Sequence, residues 1–202
     1  GKLFKPRDAK LFKPRNSLGN TGGQFYTAKN PEYGAVFTYN LNNVPKTSKS
    51  LRMQRERTLN TDNKDIPFPG YDKLSEEMNE KSASIILTIK DSEGNHIRNV
   101  KKNASNGSSR IAWNLRHQSY YPIRAGRGQA NSWFNPSGPY VTPGEYHAEI
   151  YLENNGSVEK LDGPIAFNVK PLRKGTLEGA SYSDYNSFRT RVSNLYISMS
   201  KY

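Results

Sequence analysis

The sequence contains no cysteine. That excludes disulfides, thiolate nucleophiles and cysteine-ligated metals, and it fits a bacterial protein in any compartment. Histidine is nearly absent too: His96, His117 and His147 stand far apart, with no His-Glu-x-x-His zinc pattern. Missing as well are a Gly-x-Ser-x-Gly nucleophile elbow, a phosphate-binding glycine loop, and helix-turn-helix, zinc-finger or RNA-recognition signatures. No apolar run is long enough to cross a bilayer as a helix, and mean hydropathy is −0.87. The chain opens on Gly1-Lys2 without the tripartite pattern of a leader, and is expected to be a mature product or a fragment.

What is present is positive charge and small polar residues. The formal net charge is +12 over 202 residues and the pI is near 9.8, which raises nucleic acid or an anionic surface as a partner. Aliphatic content is modest, while Asn, Ser, Gly, Pro and Tyr are plentiful, as in an all-β surface protein with long loops. The length suffices for one cored domain with decorations.

The clearest order lies between Ser84 and Arg116. Ile85, Leu87 and Ile89 alternate with Ile86, Thr88 and Lys90, the period of a half-buried strand. Asp91-Ser92-Glu93-Gly94-Asn95 is turn chemistry. Ile97 and Val100 restart an apolar strand, Asn106-Gly107 breaks it, and Ile111 with Trp113 forms a third strand. These three strands are expected to make a β-meander, with Trp113 as the core anchor. Tyr33–Leu41 reads as a strand that Pro45 ends, and Glu145–Leu152 as another after the tight turn Thr142-Pro143-Gly144. Asn154-Asn155-Gly156 marks a hairpin; Val158–Leu161 and Ile165–Val169 are expected as a return strand and a closing strand.

Helical stretches are expected at Lys46–Leu59 and Tyr71–Lys81. Sparse apolar contacts (Leu51, Met53, Leu59, Leu74, Met78) would pack this hairpin weakly on one sheet, with Pro67 and Pro69 breaking the connection. Tyr185, Phe188, Val192, Leu195 and Met199 step by three and four, an amphipathic helix capped by Ser181 or Ser183 that seeks a partner. The chain should therefore divide into an extended basic arm (1–30), a β-sandwich domain (31–172, helical insertion 46–81) and a C-terminal helix (173–202).

Lys2–Arg7 and Lys10–Arg15 repeat KLFKPR. This is either a basic arm for phosphate or acidic glycan, or an extended linker that Leu3, Phe4, Leu11 and Phe12 tack onto a neighbouring domain. The loop from His117 to Pro139 is rich in aromatics and arginine. Tyr120, Tyr121, Trp133, Phe134 and the nearby Tyr140 offer faces for sugar rings, and Arg124 and Arg127 offer forked donors. The alternative is that Trp133 and Phe134 fold back to cover the core. Asp91 with Glu93, and Glu145 with Glu149, are carboxylate pairs of glycosidase type. The first pair falls in a turn and the second on the outer face of a strand, so both read as solvated charge.

Asp91, Gly94 and Arg98, then Trp113–Arg116, then Pro143, Gly144 and Tyr146 together resemble a known pattern. They are similar to the immunoglobulin- or fibronectin-III-like domain that follows a sortilin-like, neuraminidase-repeat β-propeller in large secreted proteins of Bacteroidetes-type bacteria. Those proteins are commonly labelled glycosyl hydrolases. A similar core occurs in the Ig-like domain of the flagellar hook cap. The order of elements also resembles that family: a propeller-exit segment like Leu11–Arg15, the Tyr33–Tyr39 strand, a helical insertion, the sandwich, then a helix. Asn114 departs from it, since Asp is commoner after the tryptophan there.

The resemblance covers roughly residues 9 to 200. It implies a secreted, cell-surface or periplasmic bacterial protein with no cofactor or metal. The expected role is a non-catalytic accessory domain that docks a propeller or partner subunit through Leu3, Phe4, Leu11, Phe12 and the terminal helix stripe. A carbohydrate-binding module using the 117–140 loop is the alternative. Part of a glycoside hydrolase whose catalytic propeller lies outside this chain, and a nucleic-acid-binding arm, rank behind it.

Overall fold

The structure is a computed structural model that describes residues 1–14, 30–119, 138–173, 175 and 178–199. Strand outweighs helix, 39% against 25%, so the mainly-β expectation holds. A three-stranded antiparallel sheet has the order β1 (Lys2–Leu3), β3 (Ala35–Leu41), β6 (Gly107–Trp113). A five-stranded sheet has the order β2 (Ala9–Leu11), β8 (Ser157–Pro171), β7 (Gly144–Asn154), β4 (Ser84–Asp91), β5 (His96–Asn103). Its pairings are antiparallel except that β2 runs parallel to β8.

Alternation builds the core. Ala35, Phe37, Tyr39 and Leu41 of β3 and Ile85, Leu87 and Ile89 of β4 are buried, while the residues between them are half-buried or exposed. The two sheets meet across one apolar cluster. Phe37 lies edge-on to Phe167 of β8 at 5.1 Å, and Trp113 stands 5.5 Å from Tyr146 of β7 and 6.1 Å from Phe167. Trp113 is fully buried, and its Nε1 donates to the Arg116 carbonyl at 2.9 Å.

Three expectations about the strands are corrected. The stretch from Ser84 to Arg116 is not a meander. β5 pairs with β4, but β6 crosses to the other sheet and aligns Ile111 with Phe37 and Trp113 with Ala35. Lys102 Nζ spans the crossing, donating to the Arg110 carbonyl and to Ser109 Oγ. The return and closing strands are one strand, β8, with pairing irregularities opposite Ala148–Tyr151. Between its halves, Asp162 accepts from the Leu3 and Gly163 amides. Finally, the first residues are extended but belong to the sheets: Leu3 and Ala9 are buried, and β1 and β2 are each hydrogen-bonded in.

The helical hairpin forms where expected, as α1 (Ser48–Thr61) and α2 (Tyr71–Asn79). Thr47 caps α1 by accepting from the Ser50 amide. Neither helix buries a residue, so the expected apolar packing onto a sheet gives way to a polar clamp. Arg52 forks onto Glu77 at 2.8 and 2.9 Å and reaches Glu56 at 2.6 Å, and Glu80 accepts from the Ser48 amide. α3 (Tyr182–Met199) starts at Ser181, whose hydroxyl accepts from the Asp184 amide and donates to the Asp184 carboxylate. Among the described residues no helix is long and apolar enough to cross a membrane.

Candidate functional site

The two ends of the 117–140 loop are fastened where β6 leaves its sheet. The Val141 amide donates to Leu115, the His117 amide to Pro139, and Arg116 and Tyr140 form a bridge. Leu115 is fully buried at φ 56, a backbone region that costs a leucine about 1–3 kcal/mol and persists only where its surroundings enforce it. The buried side chain and the flanking hydrogen bonds do so.

Arginines gather on this fastening. The Arg116 guanidinium lies 3.8 Å from the centre of the Tyr140 ring, with Nη1 donating to the Gly138 carbonyl at 2.9 Å. Tyr140 meets Tyr33 edge-on at 6.3 Å, and Tyr33 meets Phe12 edge-on at 4.9 Å. Arg98 of β5 donates to Asn114 Oδ1 at 3.3 Å, with the His117 carbonyl at 3.5 Å. Burial and the neighbouring Arg116 charge lower the Arg98 pKa from its ordinary value. Arg189 of α3 donates to the Tyr140 carbonyl and to His117 Nε2, the latter at 2.8 Å. Burial, then Arg189, pushes His117 down to about 4. The imidazole is neutral at pH 7, and Nε2 is the acceptor because a guanidinium has only donors.

Of the sugar-binding candidates, Tyr120, Tyr121, Arg124, Arg127, Trp133 and Phe134 lie outside the described residues. Tyr140 is described, and Arg116 covers one face of its ring. Among the docking candidates, Leu3 is buried and Leu11 half-buried in this chain's own core, while Phe4 and Phe12 are each 42% exposed. Tyr185, Phe188, Val192, Leu195 and Met199 are 45–67% exposed. The half-buried positions of α3 are instead Arg189, Ser193 and Tyr196, on its polar flank. The helix thus rests on the body by one side and leaves its apolar stripe outward.

The carboxylate pairs resolve differently from expectation. Asp91 accepts from the Glu93 and Asn95 amides and from Asn95 Nδ2, a turn-holding role. Glu149 is not solvated: it is 6% exposed, with Lys90 at 2.7 Å, Lys160 at 2.6 Å and the Tyr151 hydroxyl at 2.9 Å. Those hydrogen bonds, Lys160 first, hold its pKa down to about 2. The sequence placed Glu149 on the outer face correctly, but two long lysine stems and a tyrosine close over it. His96 contacts Asn99, and His147 lies 3.7 Å from Glu145. Among the described residues no three His, Asp or Glu side chains cluster as a cation site.

Sequence reasoning did not join Arg98, Arg116 and Arg189. They lie on three separate segments, and only the crossing of β6 and the seating of α3 bring them together. Compared with known proteins, the chain matches no family model, no curated protein and no solved structure.

Proposed function

We propose that this chain is a non-catalytic accessory module of a secreted or cell-surface bacterial protein, held to a partner subunit through α3. The observation that carries the reading is the outward stripe of α3: five apolar residues, all 45% exposed or more, on a helix that buries none. An apolar stripe of this kind on a helix gains its stability by packing. The alternating three- and four-residue steps match the seam of a helix that packs against another helix, so the contacting element of the partner is a helix. A propeller of the sortilin-like kind, bearing such a helix beside it, would meet this requirement.

Two features support an immunoglobulin-like sandwich as the scaffold. One is the buried Trp113 between the sheets; the other is the Tyr146 hydroxyl, which donates back to the Thr142 carbonyl at 2.7 Å in the manner of a tyrosine corner. The non-catalytic part of the reading is supported by the commitment of Asp91 to its turn and of Glu149 to two lysines, which leaves neither poised to protonate a leaving group.

Because the chain has no cysteine, Phe188→Cys carries a single thiol for a benzophenone label. In the envelope fraction of the source organism it should crosslink to one protein, at a helix, while label at Glu93→Cys on an exposed turn should not. Phe188→Asp combined with Leu195→Asp should abolish co-purification of that protein. Equal adducts from both labels, an adduct only with a second copy of the chain, or a partner retained by the double variant would each sink the proposal.

A further inference from the structure

Arg98 and Arg116 are two half-buried guanidiniums on adjoining segments, and neither lies within ion-pair distance of a carboxylate among the described residues. Arg98 uses only Nη1, in two long contacts; Arg116 uses Nη1 for one carbonyl and stacks on Tyr140. Nε and Nη2 of both make no hydrogen bond among the described residues. Nor is any acid left to complete them. The segments outside the described residues contain no aspartate or glutamate, so every acidic side chain of the chain has a described place. The nearest acid on β4, Asp91, directs its oxygens at its own turn. His117 beside them is held neutral and adds no counter-charge.

Two like charges brought together and partly stripped of water are unfavourable unless something negative meets them. The unused donors are forks, which match the paired oxygens of a carboxylate or sulfate. Asn114, whose Oδ1 is taken by Arg98, keeps its amide N–H groups as donors beside the forks. We propose that Arg98 and Arg116 form a binding site for the carboxylate or sulfate of an anionic polysaccharide, with Asn114 reaching a sugar hydroxyl. A nucleic-acid strand is the poorer match. Sites for single strands pair a basic track with open aromatic faces for the bases, whereas Arg116 covers Tyr140 here and Tyr33 abuts it. The site is independent of the pairing of α3, since α3 supplies neither guanidinium.

The test is calorimetric titration of the full chain at low salt with five probes: oligogalacturonate, a heparin oligosaccharide, a neutral malto-oligosaccharide, inorganic sulfate and single-stranded DNA. One of the two anionic oligosaccharides should bind, and the neutral one should not. Arg116→Gln and Arg98→Lys should each weaken that binding by about tenfold or more, the second because a point charge cannot replace a fork. Lys73→Met with Lys81→Met, two exposed positions at the helical hairpin whose loss removes more charge, should change it less than about twofold if geometry rather than net charge holds the ligand. Phe188→Asp with Leu195→Asp should leave it unchanged, which separates failure of this site from failure of the docking reading. Circular-dichroism melting checks that each variant is folded, and Arg98→Lys remains decisive if Arg116→Gln is not. Four results would overturn the proposal: no binding of either anionic oligosaccharide, equal loss in the double lysine-to-methionine variant, sulfate binding as tightly as the oligosaccharide, or DNA binding more tightly through the same arginines.

Discussion

Glu149 makes the fold sensitive to acid in a calculable way. Its carboxyl has a pKa of about 2 in the folded chain against an ordinary 4.5. At full strength that difference corresponds to about 3 kcal/mol of stability. Lys90 and Lys160, which supply most of it, have side chains 34% and 43% exposed, so screening reduces the net contribution to about 1–2 kcal/mol. The folded pKa is depressed, so the contribution is fully present above pH 4.5 and is lost as pH falls towards 2. Glu149→Gln keeps the shape and removes the charge. At pH 7 it should lower stability by about 1–2 kcal/mol, read by urea unfolding followed through tryptophan fluorescence. At pH 3 more than half of the difference from the parent should have disappeared, because the parent carboxylate has lost most of its advantage over the unfolded chain. A difference of the same size at pH 7 and pH 3, or one that widens on acidification, would refute the electrostatic account and leave packing of the lysine stems as the cause.

Tyr39 is fully buried, and its hydroxyl has no hydrogen-bond partner among the described residues. Tyr39→Phe should therefore leave stability unchanged or raise it by up to about 1 kcal/mol; a loss of that size in urea unfolding would mean that the hydroxyl is bonded. Gly34 has φ 109, and a Cβ there would lie 1.9 Å from the Trp113 carbonyl oxygen. Gly34→Ala should then cost more than about 1 kcal/mol, with a lower melting temperature; an unchanged melt would show that β3 and β6 can separate locally without penalty.

Local order was legible wherever it depends on neighbours in the chain. The alternation of β3, β4 and β7, the turn at Asp91–Asn95, the cap of α3 and the outward step of the α3 stripe all follow from residue type and period. So does the fate of Trp113, since a large aromatic between short strands has one favourable place to go. Pairing between segments was not legible. A period-two pattern says which face of a strand is apolar but not which strand lies beside it, and so the crossing of β6 and the parallel seating of β2 on β8 went unread.

The candidate anion site depends on the same distinction. Composition alone established a basic chain without thiols and with an arginine- and aromatic-rich loop. Whether that charge is scattered or gathered is a question of distance in space. Only the tertiary structure decided it, by carrying β6 across the core so that Arg116, just past the end of that strand, lies beside Arg98, from which the rest of β5 and the whole of β6 separate it in sequence. It also decided that Glu149, an outward residue by period, is enclosed by Lys90 from one strand and Lys160 from another. Long-range contacts of this kind are set by which strands pair, and the free energy that selects the pairing belongs to the whole core rather than to any window of sequence.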